Sequence, residues 1–324
     1  MIYRVLRWIT GIALYWFYRD ILVTGHEGIP RDGPLLIAVN HQNALVDSLI
    51  TAWIMPRQIA MTAKATLANN ALIAFFFQVL NVVPLRRTTD EMHNSGGSAV
   101  DRSRNDDAFR DILSILEHSG AVLIFPEGKS HNLAGLEPLK TGLARVALQA
   151  RDQRGIKGIR ILPLGLMFED KGTPGTVAEV RVGEVIEMDA WPAADYTALT
   201  QEITDRLRVV SETAGIPSQQ PENIQRTKGL IRGCLIGLAA SWGRLTHRVP
   251  IRIARKIAIN RSTDADEPAM FTIMFGIGLV LLTYVIHIAI VGVLTHSVWI
   301  AFLYLAGLVS GAYWAAFEDH PHRY

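Results

Sequence analysis

The stretch Pro34-Leu35-Leu36-Ile37-Ala38-Val39-Asn40-His41-Gln42-Asn43-Ala44-Leu45-Val46-Asp47 decides how this chain is read. Leu35 to Val39 is a short apolar strand, and Ala44 to Ile54 continues as an apolar run with a helical look. A histidine therefore stands at a strand end, and an acid follows early in the next helix. Loops at the C-terminal ends of strands are where α/β folds place their chemistry. Six helical positions turn through about 600°, so His41 and Asp47 do not share a face of one helix. They meet if His41 lies on the loop and the helix begins after it, capped by Asn43. Asp47 then accepts a hydrogen bond from one ring nitrogen and leaves the other as a base. The bland alternative is a histidine that caps the helix and a solvated first-turn acid.

Working outward, apolar runs at 59–62, 80–85, 121–125 and 160–166 join 35–39 as predicted strands. Helical patterns lie at 44–55, 66–78, 104–118, 138–152 and 196–213. The alternation predicts an α/β domain over residues 23–215, a mixed or parallel sheet flanked by helices. Val177, Val180 and Val182 predict late strands near the sheet edge, and Asn94 to Ser98 a polar loop. Residues 1–22 are apolar and aromatic with Arg4, Arg7 and Arg19. Their uninterrupted run is too short to span a bilayer and fits a helix lying in the membrane interface better than the alternative, an amphipathic helix packed on the core. Residues 216–268 open on a linker with Pro217 and Pro221. A basic amphipathic segment follows, carrying Arg244, Arg248, Arg252, Arg255, Lys256 and Arg261, and reads either as contact with anionic lipid at the membrane surface or as a helix packed on the α/β domain.

Residues 269–317 hold two long uncharged runs joined by Leu294-Thr295-His296-Ser297, which predicts a transmembrane helical hairpin. Basic residues before it and Arg323 after it put both ends, and the tail 318–324, on the cytoplasmic side of a cytoplasmic membrane. Gly307 and Gly311 have the spacing of a close helix contact. His287 lies at membrane depth and is expected to find a partner in the pair. The chain has 324 residues, 49% of them hydrophobic. Its net charge of +2 is too small to argue for nucleic acid, and one cysteine, Cys234, excludes an internal disulfide and a cysteine metal cluster.

Polar groups gather at other strand ends too. Phe125-Pro126-Glu127-Gly128-Lys129-Ser130-His131 follows Ala121 to Ile124. Glu127 can bind hydroxyl groups, and Gly128 lets backbone approach a ligand closely. Pro138-Leu139-Lys140-Thr141-Gly142 opens a helix whose N–H groups favour an anion. Arg86-Arg87 ends the strand Asn81 to Leu85, two guanidinium forks suited to a phosphate. Pro163 in Ile161 to Gly165 predicts an edge or ligand-facing strand.

Together these pieces resemble the glycerophospholipid acyltransferase family, over about residues 20–215. The usual first motif is Asn-His, four residues, then Asp. Here five residues separate Asn40-His41 from Asp47, as in the branch with Asn-His-x-Asn-Ala-x-x-Asp that holds glycerol-3-phosphate and dihydroxyacetone-phosphate acyltransferases. Arg86-Arg87 resembles the second motif, Phe125 to Gly128 is the third unaltered, and Pro163 is similar to the fourth. Lys129-Ser130-His131 replaces the commoner Thr-Arg-Ser. Lys64 resembles a lysine found between the first two motifs.

The resemblance implies a glycerol-3-phosphate-acyltransferase-like fold. It implies His41 as general base, oriented by Asp47, taking the proton of the acceptor's hydroxyl so that its oxygen attacks the thioester of acyl-CoA or acyl carrier protein. Glu127, Gly128, Lys129, Ser130, Lys64 and Pro163 would line the substrate site, with Arg86 and Arg87 on a phosphate. The acyl thioester is a co-substrate; no metal or other cofactor is expected. The implied product is phosphatidic acid from lysophosphatidic acid. Glycerol 3-phosphate, dihydroxyacetone phosphate or another lysolipid are alternative acceptors. The implied partners are membrane lipids and the acyl donor. A different class, a non-catalytic lipid-binding membrane protein, stays open, whereas a serine hydrolase would need a Gly-x-Ser-x-Gly elbow that the sequence lacks.

Overall fold

The computed structural model describes residues 2–64, 82–85, 106–131, 135–192, 194–212, 230–264 and 267–317. The expectations for 66–78, the loop 94–98, Arg86, Arg87, the linker prolines and the tail lie outside the described residues. The strands are β1 Asp20–Thr24, β2 Leu35–Val39, β3 Ala60–Lys64, β4 Val82–Leu85, β5 Ala121–Ile124, β6 Arg160–Phe168, β7 Val177–Val182 and β8 Ile186–Glu187. The helices are α1 Ile2–Phe17, α2 Ala44–Ile54, α3 Asp106–Glu117, α4 Gly142–Asp152, α5 Tyr196–Ser211, α6 Leu230–Arg261, α7 Glu267–Thr295 and α8 Val298–Phe317.

The strands form one mixed sheet in the order β1-β7-β6-β2-β5-β3-β4, with β8 also on β6. β6, β2, β5, β3 and β4 run parallel, and β7 and β8 pair antiparallel with β6. Every residue of β2 and β5 is buried. That explains why both read as unbroken apolar runs, as strands covered on two faces do. The two faces are separated by the period of two. Leu35, Ile37 and Val39 pack with α1, α2 and the ends of α7 and α8. Leu36 and Ala38 pack with α3, α4 and α5.

Some expectations change. The N-terminal helix stops at Phe17, and Asp20 to Thr24 forms an edge strand on β7 that the interfacial reading of 1–22 absorbed. Leu14, Tyr15 and Phe17 are buried in the sheet's core, so this end of α1 is structural. Gly11 allows the approach: a Cβ there would lie 2.3 Å from the Trp53 ring of α2. Pro163 does not sit in an edge strand, because β6 is flanked on both sides. Its carbonyl accepts from Gly183 N–H at 2.9 Å, so its N side faces the same neighbour. That is where β7, ending at Val182, gives way to β8, starting at Ile186, and the missing N–H leaves no gap in a ladder.

α7 and α8, of 29 and 20 residues, form the expected hairpin and are long and apolar enough to cross a membrane. Leu294, Trp299 and Leu303 are more than 70% exposed on it. Gly311 does make a close helix contact, but with Gly243 of α6, and Gly307 faces open space. His287 finds its partner within the hairpin: its Nδ1 is 3.4 Å from the Tyr304 hydroxyl.

Candidate active site

β2 and β5 are neighbours and parallel, so the loops after Val39 and Ile124 leave the same edge of the sheet side by side. Asn40 fixes the first loop. Its side chain donates to Leu166 O at 2.9 Å and accepts from Leu166 N–H at 2.7 Å, closing on β6 as a backbone would. His41 follows, 8% exposed, its ring stacked on Phe125 with centroids 3.9 Å apart. Ala44 then takes φ +43°, a left-handed conformation that costs a non-glycine residue about 1–2 kcal/mol. Such strain persists where the surroundings fix the chain.

Asp47 supplies that fixing. It is fully buried, and its Oδ2 accepts from His41 Nδ1 at 2.9 Å, Gln42 N–H at 2.9 Å and Asn43 N–H at 2.7 Å. The pair thus meets as expected, with His41 on the loop and Asp47 reaching back. The bond assigns the proton of the neutral ring to Nδ1 and leaves Nε2 as the basic nitrogen. Among the described residues Nε2 has no hydrogen-bond partner. Asn43 heads α2 but makes no side-chain cap; its amide donates to the Tyr18 hydroxyl at 2.9 Å. Burial, and then the Asp47 charge, push the Tyr18 phenol well above its usual range, so it stays neutral.

Glu127 lies directly behind this pair. The resemblance implied a carboxylate for the acceptor's hydroxyls; the geometry turns it inward. Its Oε1 accepts from His41 N–H at 2.7 Å. Its Oε2 accepts from Glu137 N–H at 2.7 Å and is 2.5 Å from His131 Nε2. The side chain is completely covered. Glu127 therefore ties the two loops together and sets the backbone of His41. His131, quoted in the sequence but given no task, belongs to the same brace: its N–H donates to His41 O at 3.1 Å. Lys171, which carried no sequence signal, donates to the carbonyls of Gln42 at 2.8 Å and His131 at 3.3 Å.

Gly128 adopts φ +80°, and a Cβ there would meet Lys140 Nζ at 2.5 Å. Its own N–H donates to Phe125 O at 3.0 Å. Lys140, read only as part of a helix start, thus brings an ammonium over Gly128 beside the site. Lys129 is exposed and pairs with Glu137 at 3.3 Å. Ser130 is half-buried on the same loop, and Pro163 is buried within β6. The backbones of Lys64 and Leu85 end β3 and β4 at this same edge of the sheet; the Lys64 side chain, Arg86 and Arg87 lie outside what the structure describes. Among the described residues no group of three histidine, cysteine or acidic side chains is placed to hold a metal.

Comparison with known proteins matches residues 20–167 to the acyltransferase family model. The match spans a little under half of the chain and marks this region as an acyltransferase domain. Glycerol-3-phosphate O-acyltransferase 2 of Saccharomyces cerevisiae is 30% identical over 118 residues, 34% of this chain and 16% of that protein. Glycerol-3-phosphate O-acyltransferase 1 of the same yeast is 21% identical over 273 residues, 60% of this chain and 36% of that protein. The chain spans about a third or less of the length of these curated relatives. The crystal structure of the 1-acyl-sn-glycerophosphate (LPA) acyltransferase from Thermotoga maritima overlaps 58% of this chain and 70% of that one. The TM-score is 0.43 and the identity 21%. The acyltransferase match begins on β1 and ends in β6, so it encloses the His41–Asp47 pair and the Glu127 brace. α6 and the apolar hairpin lie outside it.

Proposed function

We propose that this chain is a membrane-bound O-acyltransferase that moves a fatty acyl group from an acyl thioester to the free hydroxyl of lysophosphatidic acid, giving phosphatidic acid. The buried His41–Asp47 pair carries the reading, because it presents one basic nitrogen at the edge of an acyltransferase domain. His41 Nε2 takes the hydroxyl proton as the oxygen attacks the thioester carbonyl. The new C–O bond forms, the C–S bond breaks, and the imidazolium returns the proton to the departing thiolate. Asp47 stabilises that imidazolium and keeps the ring in the productive tautomer. Glu127 holds the His41 backbone in place. Arg86 and Arg87 take the acceptor phosphate, with Lys129 and Lys140 as nearby cations. The donor is acyl-CoA or acyl carrier protein, and the scheme uses no other cofactor.

The hairpin supports a bilayer location, where a lipid acceptor and product would reside. By the positive-inside rule the domain faces the cytoplasm. A second acceptor, glycerol 3-phosphate, is favoured by the five-residue spacing between His41 and Asp47 and by the names of the two yeast relatives.

Purified membranes assayed with lysophosphatidate and glycerol 3-phosphate side by side separate the two acceptors. Turnover of glycerol 3-phosphate alone would replace the first reading with the second. His41→Ala is expected to abolish transfer to either acceptor while the protein remains folded in the membrane. Undiminished turnover in that variant would overturn the base assignment. Alanine at Arg86 and Arg87 should raise the acceptor KM more than the donor KM, and an equal effect on both would count against phosphate binding there.

A further inference from the structure

Outside the acyltransferase domain, α1 and the three C-terminal helices border a half-open apolar cavity of about 380 Å³. Ile12 and Trp16 of α1, Ile251 of α6, Gly276 and Val280 of α7 and Val309 of α8 line it. Along α7 the lining runs from Thr272 to Tyr284, about 18 Å at 1.5 Å per residue. The cavity's walls are almost wholly apolar over that length, which suits a stretch of hydrocarbon.

Trp16 and Ile251 also line a neighbouring groove walled by Arg244, Arg248 and Arg252 of α6. Arg255, one turn beyond Ile251, lies on the rim of the cavity itself. The whole of α6 carries no acidic residue. The Asp170 carboxylate is close enough for Arg255 to act on it. An apolar slot beside an arginine stripe is complementary to a molecule with a hydrocarbon tail and an anionic head.

We propose that this site takes a two-chain anionic phospholipid of the surrounding bilayer. Its phosphate lies on Arg248, Arg252 and Arg255, one acyl chain fills the cavity, and the other stays in the bilayer. The inference rests on the hairpin's lying in a membrane and not on acyl transfer. The bound lipid would pin α1 against the hairpin. Pro174, on the cavity wall, shares a loop with Lys171, which donates to the Gln42 carbonyl beside the base.

The test uses the full chain in phosphatidylcholine nanodiscs carrying a phosphatidic acid probe with a diazirine in one tail. Photolysis should label Ile251 and the stretch from Gly276 to Tyr284. Gly276→Leu, which fills the cavity, should lower that labelling several-fold. Gly278→Leu, whose added side chain faces open space, should not. Glutamine at Arg248, Arg252 and Arg255 together should lower it on the order of tenfold or more, with a phosphatidylcholine probe little affected. Equal labelling by the two probes, or indifference to the arginine changes, would leave only ordinary boundary lipid and overturn the proposal. So would preferential labelling by a single-chain lysophosphatidate probe, which would make the site one for an acceptor. The exposed Leu294 and Leu303 should be labelled by every probe. If they are not, the hairpin is outside the bilayer and the membrane reading fails, taking this inference with it.

Discussion

Replacing Asp47 by asparagine tests the centre of the site without emptying it. Oδ2 of Asp47 accepts three N–H groups, from His41 Nδ1 and from the amides of Gln42 and Asn43. Bonds to a charged acceptor are worth about 1.5–3 kcal/mol each and neutral ones about 0.5–1.5. Neutralising an acceptor of three therefore costs roughly 3 kcal/mol, less than the stability of a typical domain. Asp47→Ala is the poorer experiment. It strands three buried donors at about 1–3 kcal/mol each and risks losing the fold. In Asp47→Asn the loop is retained, but the imidazolium loses its counter-charge and the ring its enforced tautomer. The expected loss in kcat is about 10²–10⁴-fold, the usual contribution of a positioned acid–base group.

Thiol release from the acyl thioester gives the rate for this variant, and thermal unfolding of the same preparation gives its stability. Because Asp47 acts through His41, the double variant with His41→Ala should be no slower than His41→Ala alone. Two results would sink the reasoning. One is an Asp47→Asn enzyme within about threefold of the parent rate, far below the loss expected of an acid–base partner. The other is a double variant much slower than His41→Ala.

Three further outcomes follow from the same geometry. Glu127→Gln should lower kcat with the acceptor KM nearly unchanged, since both oxygens already serve the protein; a raised KM with normal kcat would restore a direct acceptor contact. Gly128→Ala should lower the unfolding free energy by about 1–2 kcal/mol for its positive φ, and removing the Lys140 side chain as well should not recover that loss; an unchanged melting temperature would contradict the left-handed backbone. Asp170 is held below the ordinary carboxylate range, chiefly by the Gly172 N–H and the Thr173 hydroxyl. A depressed acid stabilises above its unfolded value and stops doing so as pH falls through the folded one. Exchange of the Gly172 and Thr173 amides should therefore quicken only in acid below that range, and exchange that ignores acidification would remove these bonds.

The sequence by itself determined the central strands, the helices after them, the hairpin and the meeting of His41 with Asp47. Buried parallel strands must be apolar throughout, and helices that cross a bilayer must be long and uncharged, so both write themselves into composition. The His41–Asp47 pair was legible for a related reason: its partners are six residues apart, and one bend decides whether they meet. Edge strand β1 was not legible, because Asp20 to Thr24 is short and continues an aromatic helix, and only pairing with β7, far along the chain, makes it a strand. The direction of Glu127 was equally hidden. A carboxylate after a strand looks the same whether it faces a ligand or the protein. Its donors, His41 N–H and His131, reach it only because β2 and β5 lie side by side. Pro163 was misjudged as an edge signal since the gap that accommodates it is formed by β7 and β8. Local composition fixes what each segment becomes; which polar groups satisfy one another is decided by strand order, a property of the folded sheet.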